Sequence, residues 1–145
     1  MTAAVDVHAV LPHRFPMLLV DRVDTLVPGE RVSARKAISL GEPWYTAAAG
    51  GDLAYPPALL LESWVQAGAI LMSGGVPFAE QDALMLGAVS GVEFGGPVRP
   101  GDVVVHDVRL VRLAAGTAIV EGTAQVDGRA VLTVRQAVLA VRQTA

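Results

Sequence analysis

The sequence predicts an α+β fold in which an antiparallel sheet wraps around one central helix. Residues 57–73 are apolar on nearly every side of a helix, begin at a proline and end before a pair of glycines. The rest of the chain divides into runs rich in Val, Leu and Thr, separated by Pro-Gly and Asp-Gly turn signals. Because a helix that is apolar all round must be enclosed by other structure, we expect these strands to form one sheet around it.

Length and composition indicate a single domain that spans residues 1–145. A chain of this length can bury one sizeable core, and 52% apolar residues against 17% charged residues exclude disorder. The longest uncharged apolar stretch is broken by Gly74, Gly75 and Pro77, so no membrane span is expected. The N-terminus lacks the positive charge and the apolar segment of a secretory signal, which indicates a cytoplasmic location.

Charge and ligand chemistry exclude two further classes of protein. A net charge of −3 without a cluster of Lys or Arg argues against a nucleic-acid partner. The sequence has no cysteine, which excludes disulfides and thiolate metal sites, and its three histidines are scattered. We therefore expect neither a metal nor a cofactor.

The turn signals also predict the order of the elements. Residues 18–27 and 31–38 are predicted to form a hairpin, and a long loop of small residues, 39–55, leads to the helix. Pro57 suits the first helical position, where its missing N–H would be unpaired anyway. Four further strands are predicted at residues 83–94, 102–113, 117–126 and 129–142. Since the edges of such a sheet need covering, we expect a dimer.

Three stretches of sequence carry a resemblance to one family. They are LPHRFPMLLVDR at residues 11–22, EPWY at 42–45 with LESWVQAG at 61–68, and PVRPGD at 97–102. In this order and spacing they resemble the bacterial 3-hydroxyacyl-[acyl carrier protein] dehydratases, which have the HotDog fold. The resemblance implies a substrate whose acyl chain is carried as a thioester on phosphopantetheine, on either acyl carrier protein or coenzyme A.

The resemblance also assigns catalytic residues. In the family, a histidine in a GHFP motif pairs at a dimer interface with a glutamate fourteen residues later, and a backbone N–H at the helix start polarises the thioester carbonyl. The chemistry needs a group that takes the α-proton, a group that protonates the departing β-hydroxyl and a donor for the enolate oxygen. Glu62 and Gln66 match the family's helix positions and are the expected catalytic residues, although Gln66 could equally serve only to hold Glu62 in place.

The family's histidine is missing from this chain. Fourteen residues before Glu62 stands Ala48, and no histidine occurs between His13 and His106. A positioned general base contributes roughly 10²- to 10⁴-fold in rate. Efficient dehydration by this chain alone is therefore not expected.

The helix start and the contact with a carrier also depart from the family. Pro57 replaces the family's helix-start glycine and has no N–H, so the thioester carbonyl would have to contact the N–H of Ala58 or Leu59. Residues 93–96 read EFGG where the family has basic side chains. This difference predicts a weaker contact with an acidic carrier protein.

Other polar and aromatic residues have both a functional and a structural interpretation. Tyr45 and Trp64 are candidates to contact the acyl thioester, and they could equally be packed aromatic residues. Asp52 or Tyr45 could replace the missing base, but a solvated loop aspartate is more ordinary. His13 is expected to close its segment over the helix, and His106 is expected to be a satisfied interior histidine.

Three functions are consistent with these residues. The first is a dehydratase-like subunit that acts as a homodimer or beside a histidine-bearing homologue, in fatty acid or polyketide synthesis. The second is an acyl thioesterase in which Glu62 acts as the base for water or as the nucleophile. The third is a non-catalytic acyl-binding or assembly protein that keeps the pocket without the chemistry.

Overall fold

The fold is described here by a computed structural model that covers residues 4–46 and 51–143. Its helices are α1 (Val7–Val10) and α2 (Pro57–Ser73), with a short 3-10 helix at Pro43–Tyr45. Its strands are β1 (Arg22–Val27), β2 (Arg31–Ala37), β3 (Asp82–Phe94), β4 (Val103–Ala114), β5 (Thr117–Val126) and β6 (Arg129–Gln143).

The six strands form one antiparallel sheet in the order β1-β2-β4-β5-β6-β3. Helix α2 packs against the sheet and contacts β2, β3, β4, β5 and β6. The α+β class and the enclosed central helix are therefore confirmed. Strand β3 follows α2 in sequence but lies at the edge of the sheet beside β6, so the chain crosses from one side of the sheet to the other through the helix.

Helix α2 has the predicted bounds. Pro57 occupies the first turn, and Gly74 ends the helix in the left-handed conformation, with φ of 68°, while its N–H donates to the last turn. Ten of the seventeen helical residues are buried, including the polar residues Ser63 and Gln66. A helix buried to this extent needs partners for its polar side chains, and these partners form the site described below.

Close approach between α2 and the sheet depends on a glycine in the middle of the helix. A Cβ placed on Gly68 would lie 3.1 Å from the Leu139 side chain on β6, with Val108 and Val120 next to it. A side chain at this position would require Leu139 to shift, so the glycine permits the close packing of α2 on β4, β5 and β6.

The first predicted strand begins later than the sequence indicated. Residues 18–21 lie outside β1, which starts at Arg22. The N–H and the carbonyl of Leu19 bond to the side chains of Gln66 and Ser63 on α2 instead of to a neighbouring strand. The segment is apolar, as the sequence indicated, but it packs on the helix and does not join the sheet. Neither α1 nor the 3-10 helix was predicted, and both are single turns too short for a periodic signal.

The close approach of Gly122 to β4 can be tested by a single substitution. The register of β5 against β6 shifts between Val120 and Gly122, and a Cβ on Gly122 would overlap the carbonyl oxygen of Asp107 on β4. We expect Gly122→Ala to lower the free energy of unfolding by about 1–3 kcal/mol, measured by equilibrium chemical denaturation.

A matched control for this substitution is Gly87→Ala in β3. A Cβ at Gly87 would lie 3.6 Å from its nearest neighbour, an ordinary contact, and the position is exposed. We expect this variant to unfold within about 0.5 kcal/mol of the wild type. Equal losses in the two variants would refute the steric role of Gly122.

Candidate active site

Glu62 lies on the part of α2 that the N-terminal segment covers. Its side chain is 32% exposed, and one carboxylate oxygen accepts a hydrogen bond of 2.9 Å from Nε2 of Gln66, one turn later. The sequence placed these two residues on one face of the helix, and the structure brings them into contact. Glu62 is the one carboxylate of α2, and its solvent-accessible part is where a substrate can reach it.

His13 contacts the same carboxylate from outside the helix. Its Nε2 lies 3.5 Å from Oε1 of Glu62, and its side chain is 23% exposed. The second ring nitrogen, Nδ1, is buried and has no hydrogen-bond partner among residues 4–46 and 51–143. As expected, the segment of His13 closes over the helix. Sequence reasoning missed that this closure makes His13 a neighbour of Glu62.

The contact with His13 lowers the pKa of Glu62 below its ordinary value. Partial burial acts in the opposite direction, and the hydrogen bond from Gln66 and the charge of protonated His13 lower the pKa further. Glu62 is therefore an ionised carboxylate at neutral pH. Such a group accepts protons and hydrogen bonds, but does not itself provide a proton.

Gln66 fixes the backbone that carries His13. This amide is fully buried, its Oε1 accepts the N–H of Leu19 at 2.8 Å, and its Nε2 donates to the carbonyl of Met17 at 2.8 Å. The same Nε2 donates to Glu62. Gln66 thus both positions the carboxylate and holds the N-terminal segment on α2, as the holding interpretation expected, and a catalytic role for it stays a prediction.

His106 lies in the interior, as its alternation with apolar residues predicted. It is fully buried on β4, and burial lowers its pKa to about 3, so the ring is neutral. Its Nε2 lies 2.7 Å from Oγ of Ser63, while Nδ1 is without a hydrogen-bond partner in the described part of the chain. The ring is therefore only half satisfied, contrary to the prediction of a satisfied histidine.

A second polar cluster braces the loop before α2. The Glu42 carboxylate accepts from the N–H of Ser39 at 2.9 Å, from Nε1 of Trp44 at 3.1 Å and from the hydroxyl of Tyr55 at 3.2 Å. The ammonium of Lys36 lies 3.3 Å away. Burial alone would raise the pKa of Glu42, but the Ser39 N–H, the Trp44 indole and the Lys36 ammonium lower it overall. These structural bonds occupy the Glu42 carboxylate, so it is not available for chemistry.

The two residues considered as substitute bases occupy different environments. Burial, together with the charges of Glu42 and Asp102, raises the pKa of the Tyr45 phenol, so Tyr45 stays protonated and is a donor, not a base. Its hydroxyl is buried without a partner in the described ranges. Asp52 is exposed and bonds to the N–H of Ala54 at 3.0 Å and to Arg99 at 3.2 Å, as a solvated loop aspartate does. Ala48, the position of the family's histidine, lies outside the described residues.

The start of α2 lies next to a cleft large enough for part of an acyl thioester. The cleft has a volume of about 550 Å³ and is lined by residues of the helix start and of the end of β3, among them Pro57, Leu60 and Phe94. The N–H of Leu59 already donates to the carbonyl of Pro56. Ala58, which is exposed, is therefore the better of the two predicted carbonyl donors.

Trp64 packs into the core of the chain. It has no exposed surface, and its indole Nε1 lies 3.4 Å from the carbonyl of Asp107 on β4. This placement agrees with the packed-aromatic interpretation, and a contact of Trp64 with the acyl chain stays a prediction.

The loop after β3 passes close to the start of β6. A Cβ on Gly95 would overlap the carbonyl oxygen of Ala130, and a Cβ on Gly96 would lie 2.7 Å from the guanidinium of Arg129. Arg129, the first residue of β6, bonds to the carbonyl of Pro97 at 3.3 Å. Its guanidinium therefore places a positive charge beside this loop.

The described residues form neither a metal-ligand cluster nor a membrane-spanning helix. Within residues 4–46 and 51–143, no group of three or more His, Asp or Glu side chains is arranged to hold a metal ion. None of the helices in those ranges is long and apolar enough to cross a membrane.

Comparison with known proteins identifies relatives along most of the chain. The family model described as a FabA-like domain matches residues 11–135. A 3-hydroxyacyl-[acyl-carrier-protein] dehydratase FabZ from Enterococcus faecalis is 33% identical over 126 residues, which cover 87% of this chain and 89% of the relative. The FabZ dehydratase of Oenococcus oeni is 38% identical over 125 residues, which cover 86% of this chain and 89% of the relative.

Solved structures share the fold at low sequence identity. A chain of the dehydratase heterocomplex ApeI:P from Xenorhabdus doucetiae has a TM-score of 0.78 at 20% identity, covering 96% of this chain and 91% of that chain. A hypothetical thioesterase with coenzyme A from Streptococcus pneumoniae has a TM-score of 0.61 at 12% identity, with coverages of 85% and 86%. The HotDog fold predicted from the sequence is confirmed.

The contact between His13 and Glu62 predicts a measurable change in acidity. We expect His13→Ala to raise the pKa of the Glu62 carboxyl, because the largest influence that lowers it, the hydrogen bond from His13, is removed while partial burial persists. The pKa is read from the pH dependence of the Glu62 carboxyl ¹³C chemical shift. His8→Ala, a change at an exposed histidine of α1, is the control and should leave the Glu62 curve in place. Identical Glu62 curves for wild type and His13→Ala would show that the two side chains do not interact.

Proposed function

The chain belongs to the FabA-like domain family, and from this premise we propose that it acts in the dehydration of 3-hydroxyacyl thioesters in fatty acid or polyketide synthesis. Its substrate is an acyl chain on the phosphopantetheine thiol of acyl carrier protein or coenzyme A. The observation that carries the proposal is the Glu62 carboxylate, which is kept ionised on the central helix by His13 and Gln66.

The proton balance of the reaction supports a shared site. Dehydration breaks the Cα–H and Cβ–O bonds, forms a double bond and releases water, so one group takes the α-proton and another delivers a proton to the departing hydroxyl. An ionised Glu62 can supply only the accepting half of this exchange, so we infer that the group missing at Ala48 is the proton donor and not, as expected from the sequence, the base. In the family a histidine completes the pair, and here Ala48 stands at its position. We therefore propose that a histidine-bearing homologue supplies the missing group.

The thioester carbonyl is proposed to lie at the start of α2. The first turn of a helix carries partial positive charge on its free N–H groups, which stabilises the developing enolate oxygen. Ala58 offers such an N–H directly after Pro57, which lines the cleft. Tyr45 does not line this cleft and its hydroxyl is buried, so its contact with the substrate stays a prediction. The acyl chain then occupies the apolar cleft lined by Leu60 and Phe94.

The edge of the sheet supports pairing with a second subunit. Strand β3 is thirteen residues long and bonds to β6 along one side, so its other side presents unpaired backbone groups. Met85, Leu86 and Phe94 on this strand are 46%, 42% and 47% exposed. We propose that β3 pairs with the same strand of a second subunit, either a copy of this chain or a histidine-bearing homologue. One structure with the same fold is named as a dehydratase heterocomplex, which supports the proposal of a second subunit.

A thioesterase is the second candidate function. An ionised carboxylate that is 32% exposed can activate a water molecule for attack on a thioester without a histidine. One structure with the same fold carries the name of a hypothetical thioesterase with coenzyme A. The two candidate functions release different products and are separated by one assay.

The first functional test is to incubate the purified chain with a 3-hydroxyacyl thioester, alone and with a histidine-bearing dehydratase homologue from the same source. We expect enoyl product above the homologue's own rate only in the mixture, because each subunit supplies one half of the proton exchange. Enoyl product from this chain alone would contradict the shared site. Free thiol without enoyl product would identify a thioesterase. The absence of both products would favour the binding or assembly role.

Glu62→Gln tests the residue that carries the proposal. Glutamine keeps the shape of the side chain but takes up no proton, so we expect the enoyl product gained on mixing to fall by about 100-fold or more. Glu30→Gln, in the exposed β1–β2 turn, is the matched control and should retain the wild-type rate. A mixture with Glu62→Gln that is as active as the wild-type mixture would remove Glu62 from the reaction.

A further inference from the structure

Ser63 makes two hydrogen bonds inside the protein, directly beside Glu62. It is fully buried on α2, and its Oγ lies 2.6 Å from the carbonyl oxygen of Leu19 and 2.7 Å from Nε2 of His106. A serine hydroxyl has one proton, and a carbonyl can only accept, so that proton points to Leu19. His106 must then donate its Nε2 proton to Ser63, which fixes the tautomer of the ring.

The position of His106 in the sheet is shaped for this bond. His106 on β4 pairs with Ala34 on β2 and with Ala124 on β5, and both alanines are fully buried. Two small neighbours leave room for an imidazole ring beneath the helix. Within the described ranges Nδ1 of His106 has no hydrogen-bond partner, so the ring is held by its Nε2 alone. The bond to Ser63 is what the histidine adds at this position.

The bond to Ser63 continues into the N-terminal segment. We call residues 11–20, which cross α2, the strap. The Ser63 hydroxyl donates to the carbonyl of Leu19, and Oε1 of Gln66 accepts the N–H of Leu19. Two side chains of the helix therefore hold both backbone groups of one strap residue. The strap also carries His13, six residues before Leu19, at 3.5 Å from Glu62.

We propose that Ser63 and His106 are positioning residues that fix the strap on α2 and so hold His13 against the Glu62 carboxylate. His106 orients the Ser63 hydroxyl from below, and the hydroxyl anchors Leu19 from within the helix. Neither residue touches the substrate. The effect on turnover rests on the proposed dehydratase function, whereas the effect on the His13–Glu62 contact does not.

The test measures the pKa of the Glu62 carboxyl by ¹³C NMR in Ser63→Ala and His106→Met. Ser63→Ala removes the hydroxyl that holds the carbonyl of Leu19, and His106→Met removes the donor that orients this hydroxyl. Both are expected to raise the Glu62 pKa in the same direction as His13→Ala, because the strap then holds the imidazole less firmly. His106→Gln retains an N–H donor and should restore the wild-type titration. Ser73→Ala, at the end of the same helix, is the control, since Ser73 bonds locally to the carbonyl of Ile70 and should leave Glu62 unaffected.

The outcomes distinguish a positioning role of Ser63 and His106 from a purely stabilising role. They also test this role independently of the proposed dehydratase function. A lower melting temperature with an unchanged Glu62 titration in both Ser63→Ala and His106→Met would overturn the proposal. The double variant Ser63→Ala/His106→Met removes both polar groups together, so it keeps the measurement available if a single variant unfolds. In the mixed assay we expect about a tenfold lower rate of enoyl formation for each single variant. A shifted titration with no enoyl product from any mixture, wild type included, would uphold the positioning role and reject the dehydratase function.

Discussion

The enclosure of α2 by the sheet is the constraint on which the rest of this structure depends. A helix with ten buried residues in seventeen has almost no solvated face, so each polar side chain on it must find a partner in the protein. Ser63 and Gln66 find theirs in the strap, whose backbone N–H and carbonyl groups would otherwise be buried and unpaired. The helix and the strap therefore satisfy each other, and Glu62 lies where they meet.

The contacts between the helix and the strap determine the pKa of Glu62. A carboxyl group in an apolar helix would have a raised pKa from burial alone, yet here the pKa is lowered. The difference comes from the strap, which brings His13, and from the buried amide of Gln66, which donates to the carboxylate. The contacts that hold the strap on the helix thus also favour the ionised form of Glu62, at a site that solvent still reaches.

Most of the fold could be predicted from the sequence because its signals are local. The bounds of α2 follow from Pro57 and Gly74, and the last three strands follow from turn signals between apolar runs. The pairing of Glu62 with Gln66 follows from helical spacing. The segment around Leu19 could not be predicted correctly, because its apolar pattern fits a strand and its partners lie 44 to 47 residues away. The place of His13 beside Glu62 depends on that same long-range contact and has no local signal.

The departures from the family spare the carboxylate and the amide of α2. Glu62 and Gln66 match the family's helix positions, and their supporting contacts are in place. Ala48 stands at the position of the family's histidine, and Pro57 stands at that of its helix-start glycine. Because burying an unneeded charge is unfavourable, an ionised carboxylate on a largely buried helix argues for a role of that group. This pattern agrees with the proposal that a second subunit supplies the group that is missing at Ala48.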